Sequence, residues 1–290
     1  MFGSNEKIGK KFFREAAADS LFVTSMFYTL QGEGPYAGMP ALFIRLAKCN
    51  LDCSFCDTFF DDGDWMTFDQ ISVKMQQTIT DYWAGKGLPV PAWALHQGLS
   101  PGIVLVMTGG EPLLQDNITE FMRQQLPKFK AVQVESNGIP VTEVPVGVTL
   151  VCSPKCAEKD GVAIKYFKPS VTILERADCL KFVMSSDTTS PYNSIPDWAM
   201  TWKLDNPHKE IYCSPMNVYN SFPQKIKLLR AEKGAITMAD RSTVDEIISF
   251  WEPGLLDLQA NQRNHEFVGA ICAQHGFRLN LQQHLYTSQA

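Results

Sequence analysis

The chain has no long apolar run. Its longest candidate, Gly102 to Met107, is of strand length, well short of the roughly 20 residues a membrane-crossing helix needs, so no membrane partner is expected. An excess of positive charge is missing too. With 26 basic against 31 acidic residues the net charge is -5, which gives no broad footprint for nucleic acid and leaves a small molecule as the expected partner. The first residues, with Glu6, Lys7, Lys10, Lys11, Arg14 and Glu15, have neither the apolar centre of a signal peptide nor the acid-poor character of a transit peptide. Histidine is scarce, and His96, His208, His265, His275 and His284 show no paired metal-binding spacing. No repeat goes beyond an alternation of strands and helices, and no segment is low in complexity. What remains is 290 residues, 45% of them hydrophobic, able to bury a core and expected to be soluble.

Cysteine is the exception to this plainness. Eight of them outside a secretory context imply a reducing, cytoplasmic setting with thiols kept free for metal. Cys49, Cys53 and Cys56 form a CxxxCxxC run directly after the apolar segment Ala41 to Ala47. A closed zinc site or a fully ligated iron-sulfur cube needs four protein ligands, and the nearest further Cys or His is His96. Structural zinc would have to recruit a distant fourth ligand, whereas a 4Fe-4S cluster with one open iron is explained by the spacing as it stands. Cys152 and Cys156 repeat a CxxxC spacing, but Cys152, Cys179 and Cys213 lie in or beside apolar strands, where free cysteine behaves as a small hydrophobe.

The strands read in order are Leu21 to Leu30, Ala41 to Ala47, Gly102 to Thr108, Ala131 to Glu135, Thr149 to Cys152, Leu180 to Ser185, Glu210 to Cys213 and a late one at Phe277 to Leu281. Helices are expected from Thr67 to Trp83, from Asn117 to Gln125, and across Thr243 to Ala273 with a break near Pro253-Gly254. Polar or glycine motifs end strand after strand: Gln31-Gly32-Glu33-Gly34, Gly109-Gly110-Glu111-Pro112, Ser136-Asn137-Gly138, Ser153-Pro154-Lys155 and Ser214-Pro215-Met216. This is the pattern of an α/β fold, a partial (β/α) barrel of about six core strands, whose site sits at the carboxyl ends of the strands. A single domain over 1–290 is expected, with an N-terminal extension at 1–20 and insertions near 84–101, 187–208 and 231–265. Arg45 is the lone charge in its strand and, by alternation, shares a face with Phe43.

CxxxCxxC followed by the GGEP element resembles the radical S-adenosylmethionine (SAM) superfamily, in which the open iron of the cluster is chelated by SAM. The ordered set Phe27-Tyr28-Thr29-Leu30-Gln31-Gly32-Glu33-Gly34, Arg45, Cys56-Asp57-Thr58, Thr108-Gly109-Gly110-Glu111-Pro112 and Glu135-Ser136-Asn137-Gly138 is similar, more narrowly, to 7-carboxy-7-deazaguanine synthase. The resemblance implies a lyase that converts 6-carboxy-5,6,7,8-tetrahydropterin into 7-carboxy-7-deazaguanine, contracting a ring and releasing ammonia, for 7-deazapurine (queuosine-type) biosynthesis. It implies that Cys49, Cys53 and Cys56 hold the cluster and that Thr58 ligates Mg2+. Phe55, Cys56, Asp57, Gly110, Ser136, Ser153, Lys155, Ser214 and Met216 would bind SAM, and Leu30, Gln31, Gly32, Arg45 and Thr108 the pterin. A flavodoxin- or ferredoxin-type electron donor and a homodimer are implied as well. Two departures stand out: Ser214-Pro215-Met216 replaces the common Gln-Pro-Met, and it is open whether the tail Leu285 to Ala290, or His284, reaches the substrate. An activating enzyme that places a glycyl radical on a partner protein would share the cysteines and strand-end glycines. A zinc-stapled binding module would leave the GGEP element unexplained.

Overall fold

The computed structural model describes residues 7–13, 17–56, 58, 60–218 and 257–282. The core is one nine-stranded sheet. In chain order its strands are β1 (Ser20–Leu30), β2 (Pro40–Leu46), β3 (Asp64–Thr67), β4 (Ser100–Gly109), β5 (Phe129–Ser136) and β6 (Val148–Cys152), then, beyond a separate hairpin of β7 (Cys156–Lys159) and β8 (Val162–Tyr166), β9 (Cys179–Met184), β10 (Glu210–Pro215) and β11 (Arg278–Leu279). The spatial order is β11-β10-β9-β6-β5-β4-β2-β1-β3. Strands β2, β4, β5, β6, β9 and β10 pair in parallel, which gives the six core strands of an open, partial barrel. β1 and β3 extend one edge in antiparallel register.

Both faces of this sheet are defined by alternation. Leu42, Ile44 and Leu46 on β2, Ile103, Leu105 and Met107 on β4, and Val132 and Val134 on β5 point into the large apolar core. That core is completed by the crossover helices α1 (Phe68–Gly85), α2 (Ile118–Gln125), α3 (Val171–Arg176), α4 (Asp197–Asp205) and α5 (Leu258–His275). The other face carries Ala41, Val104 and Val106, with Phe43, Ala131, Tyr36 and Met39 packed against them. β4 is covered on both sides, so it reads as a continuous apolar run.

Helix starts follow the local signals. Thr67 caps α1 by accepting from Gln70 N at 3.2 Å, while Gln70 Oε1 accepts from Thr67 N at 2.8 Å, a reciprocal box that stops the chain from continuing as strand. α5 starts at Asp257, whose side chain accepts from Ala260 N, and stops at Gly276 in the left-handed region.

Several expectations need correction. The stretch 187–208, read as irregular, contains α4, the crossover from β9 to β10, anchored by Trp202 Nε1 donating to Leu174 O at 2.8 Å. β3 and the β7–β8 hairpin escape the sequence reading: one is four residues after an acidic turn, and the other mixes exposed and half-buried side chains without a clean period. Residues 86–99 form the long loop between α1 and β4, two residues shorter at each end than the expected 84–101. Most of the 231–265 segment, the start of the helix expected from Thr243, and the tail with His284 lie outside the described residues, as do parts of 1–20. No described helix is long and apolar enough to cross a membrane.

Candidate active site

The three cysteines follow β2. Lys48 takes a positive φ of 71°, turning the chain out of the strand, and its N–H donates to Phe60 O at 2.7 Å, which closes residues 48–60 into a loop. Cys49, Leu51 and Phe60 are buried together, with Cys53 and Cys56 packed against them. Contacts from outside fix the loop. Ile8 N donates to Cys49 O, Glu111 N to Lys48 O, Asn137 Nδ2 to Asn50 Oδ1 at 2.7 Å, and Ser54 N to Glu158 Oε2 at 2.7 Å.

The glycines of Gly109-Gly110 serve that loop directly. A Cβ on Gly110 would fall 1.8 Å from Lys48 O, and one on Gly109, whose φ is 124°, would fall 2.3 Å from the backbone of Leu46. Only a chain without side chains lets the end of β4 lie this close to the start of the cysteine loop. Glu111 then turns inward, fully buried, and accepts from Leu113 N, Ser136 Oγ and Asn137 N at 3.0, 2.8 and 2.6 Å. Burial raises its carboxyl to about 7, even though these hydrogen bonds and Lys155 pull it down. Sequence reasoning gave Glu111 no individual role, yet it ties the ends of β4 and β5 together.

Whether these residues suit an iron-sulfur cluster can be judged from the thiols. Among the described residues no three Cys, His, Asp or Glu side chains gather as ligands of one ion do. A cube makes a different demand, since each thiolate binds a separate iron around one pocket. Cys49, Cys53 and Cys56 lie in one loop, packed around Leu51 and Phe60. Burial raises Cys49 well above the usual thiol range, with the charges of Cys53 and Cys56 adding to the rise. Burial also pushes Cys53 up to about 11, against the pull of Lys155. Thiols in this position ionise when a cationic metal centre compensates them, so the donor set fits a cluster.

On the concave face, register places Arg45 of β2 beside Thr108 of β4. The guanidinium lies 5.1 Å from the centre of the Phe27 ring, which stacks on Phe43, and its Nη1 donates to Thr58 Oγ1 at 2.6 Å. Arg45, Thr58 and Thr108, expected to act together, are thus adjacent. The turn after β1 brings in Leu30, Gln31 and Gly32; Gln31 is buried, accepts from Glu33 N at 3.1 Å and approaches Glu135 Oε1 at 3.4 Å.

Further along the face lies a charge cluster that the sequence reading touched through Glu33 and Glu135. Lys181 of β9, 6% exposed, reaches Glu33 Oε2 at 2.7 Å and Glu135 Oε2 at 2.8 Å. Burial alone would depress its ammonium, but Glu135 and Glu33 outweigh that and hold it above the ordinary lysine value. A lone lysine inside the apolar run Leu180 to Met184 was the available signal.

The expected SAM-binding residues surround the same mouth. Ser136 ends β5 and donates to Glu111, and Ser153 and Lys155 follow β6, with Lys155 Nζ bonded to Ser153 O and Oγ at 2.7 Å. Burial lowers the Lys155 ammonium, and Cys53 acts in the opposite sense. Ser214 ends β10; its hydroxyl lies 3.3 Å from Glu33 Oε1 and accepts from Asn280 Nδ2, while Asn280 Oδ1 accepts from Gly34 N at 2.9 Å. Met216 N donates to Met184 O. Phe55 meets Tyr192 edge to face at 5.0 Å. Asp57 lies outside the described residues.

No protein-family model matches the chain. Its overall arrangement is similar to the crystal structure of QueE from Escherichia coli, with a TM-score of 0.51 and 19% identity over 96% of this chain and 99% of that one, a likeness of fold. Two curated relatives, both named 7-carboxy-7-deazaguanine synthase, come from Rhodospirillum rubrum and Rickettsia prowazekii. The first is 32% identical over 201 residues (68% of this chain, 71% of the relative), the second 34% identical over 197 residues (68% and 74%). The strand-end motifs, the gathered cysteine loop and identity of this extent over more than two thirds of each relative together establish that the chain belongs to the 7-carboxy-7-deazaguanine synthase family.

Proposed function

We propose that this chain is a radical SAM lyase converting 6-carboxy-5,6,7,8-tetrahydropterin into 7-carboxy-7-deazaguanine, with ring contraction and loss of ammonia, on a route to 7-deazapurines. The observation that carries the reading is the convergence, at the strand ends of one sheet, of the three-cysteine loop with a guanidinium on one side and paired carboxylates on the other. When bound, the cluster and SAM supply a 5'-deoxyadenosyl radical.

Within this reading Cys49, Cys53 and Cys56 hold the cluster. Phe55, Cys56, Asp57, Gly110, Ser136, Ser153, Lys155, Ser214 and Met216 line the SAM path. Arg45 grips the substrate carboxylate with its two-pronged fork, pre-aimed by Phe27 and Thr58. Leu30, Gln31, Gly32 and Thr108 flank the ring. Thr58 would contribute one oxygen to Mg2+, a cation that takes few protein ligands and leaves the rest to water and substrate. The whole chain acts as one domain, as a homodimer, in the cytoplasm, and draws electrons from a flavodoxin- or ferredoxin-type carrier.

The test is anaerobic incubation of cluster-loaded protein with SAM, dithionite and 6-carboxytetrahydropterin, with product followed by mass spectrometry. Appearance of 7-carboxy-7-deazaguanine is expected. Methionine and 5'-deoxyadenosine forming without it would refute the substrate assignment.

A further inference from the structure

We propose that Asn280 is a positioning residue for the substrate-binding turn after β1: bonded to Gly34 N and Ser214 Oγ at once, it ties that turn across the open mouth of the sheet and holds Gln31 and Gly32 in their binding geometry. The inference rests on the functional reading above and adds to it a residue from the carboxyl-terminal segment.

The turn between β1 and β2 has a firm base and a remote tip. Gln31 N donates to Met39 O and Gly38 N to Gln31 O, which continues the pairing of the two strands. Beyond them the chain leaves the ladder as a short 3-10 turn, Gly34–Tyr36, with Gly34 at a φ of 73°. This tip crosses the concave face, away from its own strands. Tyr36 Oη lies 2.8 Å from Thr149 Oγ1 on β6, Glu33 reaches Lys181 on β9, and Gly34 N donates to Asn280 Oδ1 at 2.9 Å. Asn280 follows β11, which stands first in the sheet order, whereas β2 and β1 stand seventh and eighth. Thr149 and Lys181 hold side chains of the turn; Asn280 takes its backbone.

The hydrogen bonds of Asn280 have a fixed direction. A backbone N–H can only donate, so the amide oxygen faces Gly34 and the amide nitrogen faces Ser214. Ser214 Oγ accepts from Asn280 Nδ2 at 2.9 Å and can turn its own proton to Glu33 Oε1 at 3.3 Å, back in the same turn. Asn280 is 3% exposed and its own N donates to Cys213 O at 2.9 Å, so the side chain is mounted on a fixed backbone. Without it the buried Gly34 N–H would lose its acceptor, which costs more than the bond itself, and the tip would shift toward water. Gln31 would share that movement, because its side chain accepts from Glu33 N at 3.1 Å. Order lost in the free enzyme must be recovered on binding, so the effect is read in affinity.

The test compares cluster-loaded wild type with Asn280→Leu, which keeps the volume and removes both bonds, and Asn280→Asp, which keeps the acceptor for Gly34 but cannot donate to Ser214. Asn261→Ala is the control for general destabilisation, since Asn261 is buried on α5 and bonded to Val218. Hydrogen exchange of the Gly34 amide, read from fragments covering 31–36, should quicken by roughly tenfold or more in Asn280→Leu and stay slow in the other two. Affinity for pterin-6-carboxylate, a stable fluorescent analogue, should fall roughly 5- to 30-fold in Asn280→Leu, the scale of one or two unmade buried hydrogen bonds. The KM for 6-carboxytetrahydropterin should rise in step, with kcat within about threefold. Asn280→Asp should show a smaller loss of affinity, because Ser214 then turns its proton away from Glu33. Iron content should stay at the wild-type value throughout. Slow Gly34 exchange or wild-type affinity and KM in folded Asn280→Leu, equal losses in Asn261→Ala, or a lowered kcat with unchanged KM would each overturn the proposal. If Asn280→Leu fails to fold, wild-type affinity in Asn280→Asp overturns it instead. Should wild type bind the analogue but form no deazaguanine, the functional reading fails, while exchange and binding still decide the role of Asn280.

Discussion

Arg45 and Lys181 are both cations set inside apolar strands, and each is held by neighbours rather than left to reach solvent. Arg45 stands over Phe27 and donates to Thr58. Because a lysine presents a point charge and cannot reproduce the fork, Arg45→Lys should weaken substrate binding by roughly 1.5–3 kcal/mol, read as a rise in KM. An unchanged KM would mean that the carboxylate lies elsewhere. Thr58→Ala removes an oxygen that Arg45 already uses, so two effects are expected together: a blunted response to added Mg2+ and a smaller loss of substrate affinity, with SAM still bound. Titration of activity with Mg2+ after EDTA treatment decides this, and full activation in the variant rules out Thr58 as a ligand. Arg45 was legible in the sequence because it precedes the cysteines directly. Lys181 obeys the same rule, but its partners Glu33 and Glu135 are remote in sequence, and only the folded sheet brings the three together.

The contact between the end of β4 and the cysteine loop decides how well the cluster site is formed. Gly110→Ala would drive a methyl group into Lys48 O, a backbone atom that cannot rotate away. A loss of about 1–3 kcal/mol in stability is expected, accompanied by reduced iron loading after anaerobic reconstitution. Normal loading would show that the loop tolerates the shift. Glu111 gives a second, pH-dependent signature. Its carboxyl ionises near 4.5 when unfolded but near 7 when buried. Between those values the folded state binds the extra proton, so stability present below pH 4.5 is lost as pH rises through 7, by about 3 kcal/mol in all. Glu111→Gln cannot titrate. The stability difference between wild type and this variant, from urea melts at pH 5 and pH 7.5, should therefore shift in favour of the variant at the higher pH, and a constant difference would contradict it. The sequence pointed to these motifs as site elements, but not to the close backbone approach that makes the glycines necessary. Such an approach depends on where β2 ends relative to β4.

Over the whole molecule, the alternation of apolar runs with helical segments was enough to read a partial barrel, since each parallel strand buried on both faces leaves a continuous hydrophobic signature. β3 and the β7–β8 hairpin left none, being short and largely exposed. Six of the eight cysteines fall into two groups. Cys152, Cys179 and Cys213 are buried at strand positions, whereas Cys49, Cys53 and Cys56 share the loop. Alanine at any of the last three should bleach anaerobically purified protein of its roughly four irons, while Cys152→Ala and Cys213→Ala should stay brown. Equal bleaching in the second group would undo the three-ligand assignment. The bond from Gly34 N to Asn280 Oδ1 spans 246 positions and joins the first turn of the sheet to the residue that follows its last strand. As the polypeptide leaves the ribosome, then, the cysteine loop emerges long before the residue that fastens that turn, and contacts of such separation form slowly. The contacts that hold the cysteine loop, from Ile8, Glu111, Asn137 and Glu158, are therefore all available well before the residue that fastens the turn carrying Gln31 and Glu33.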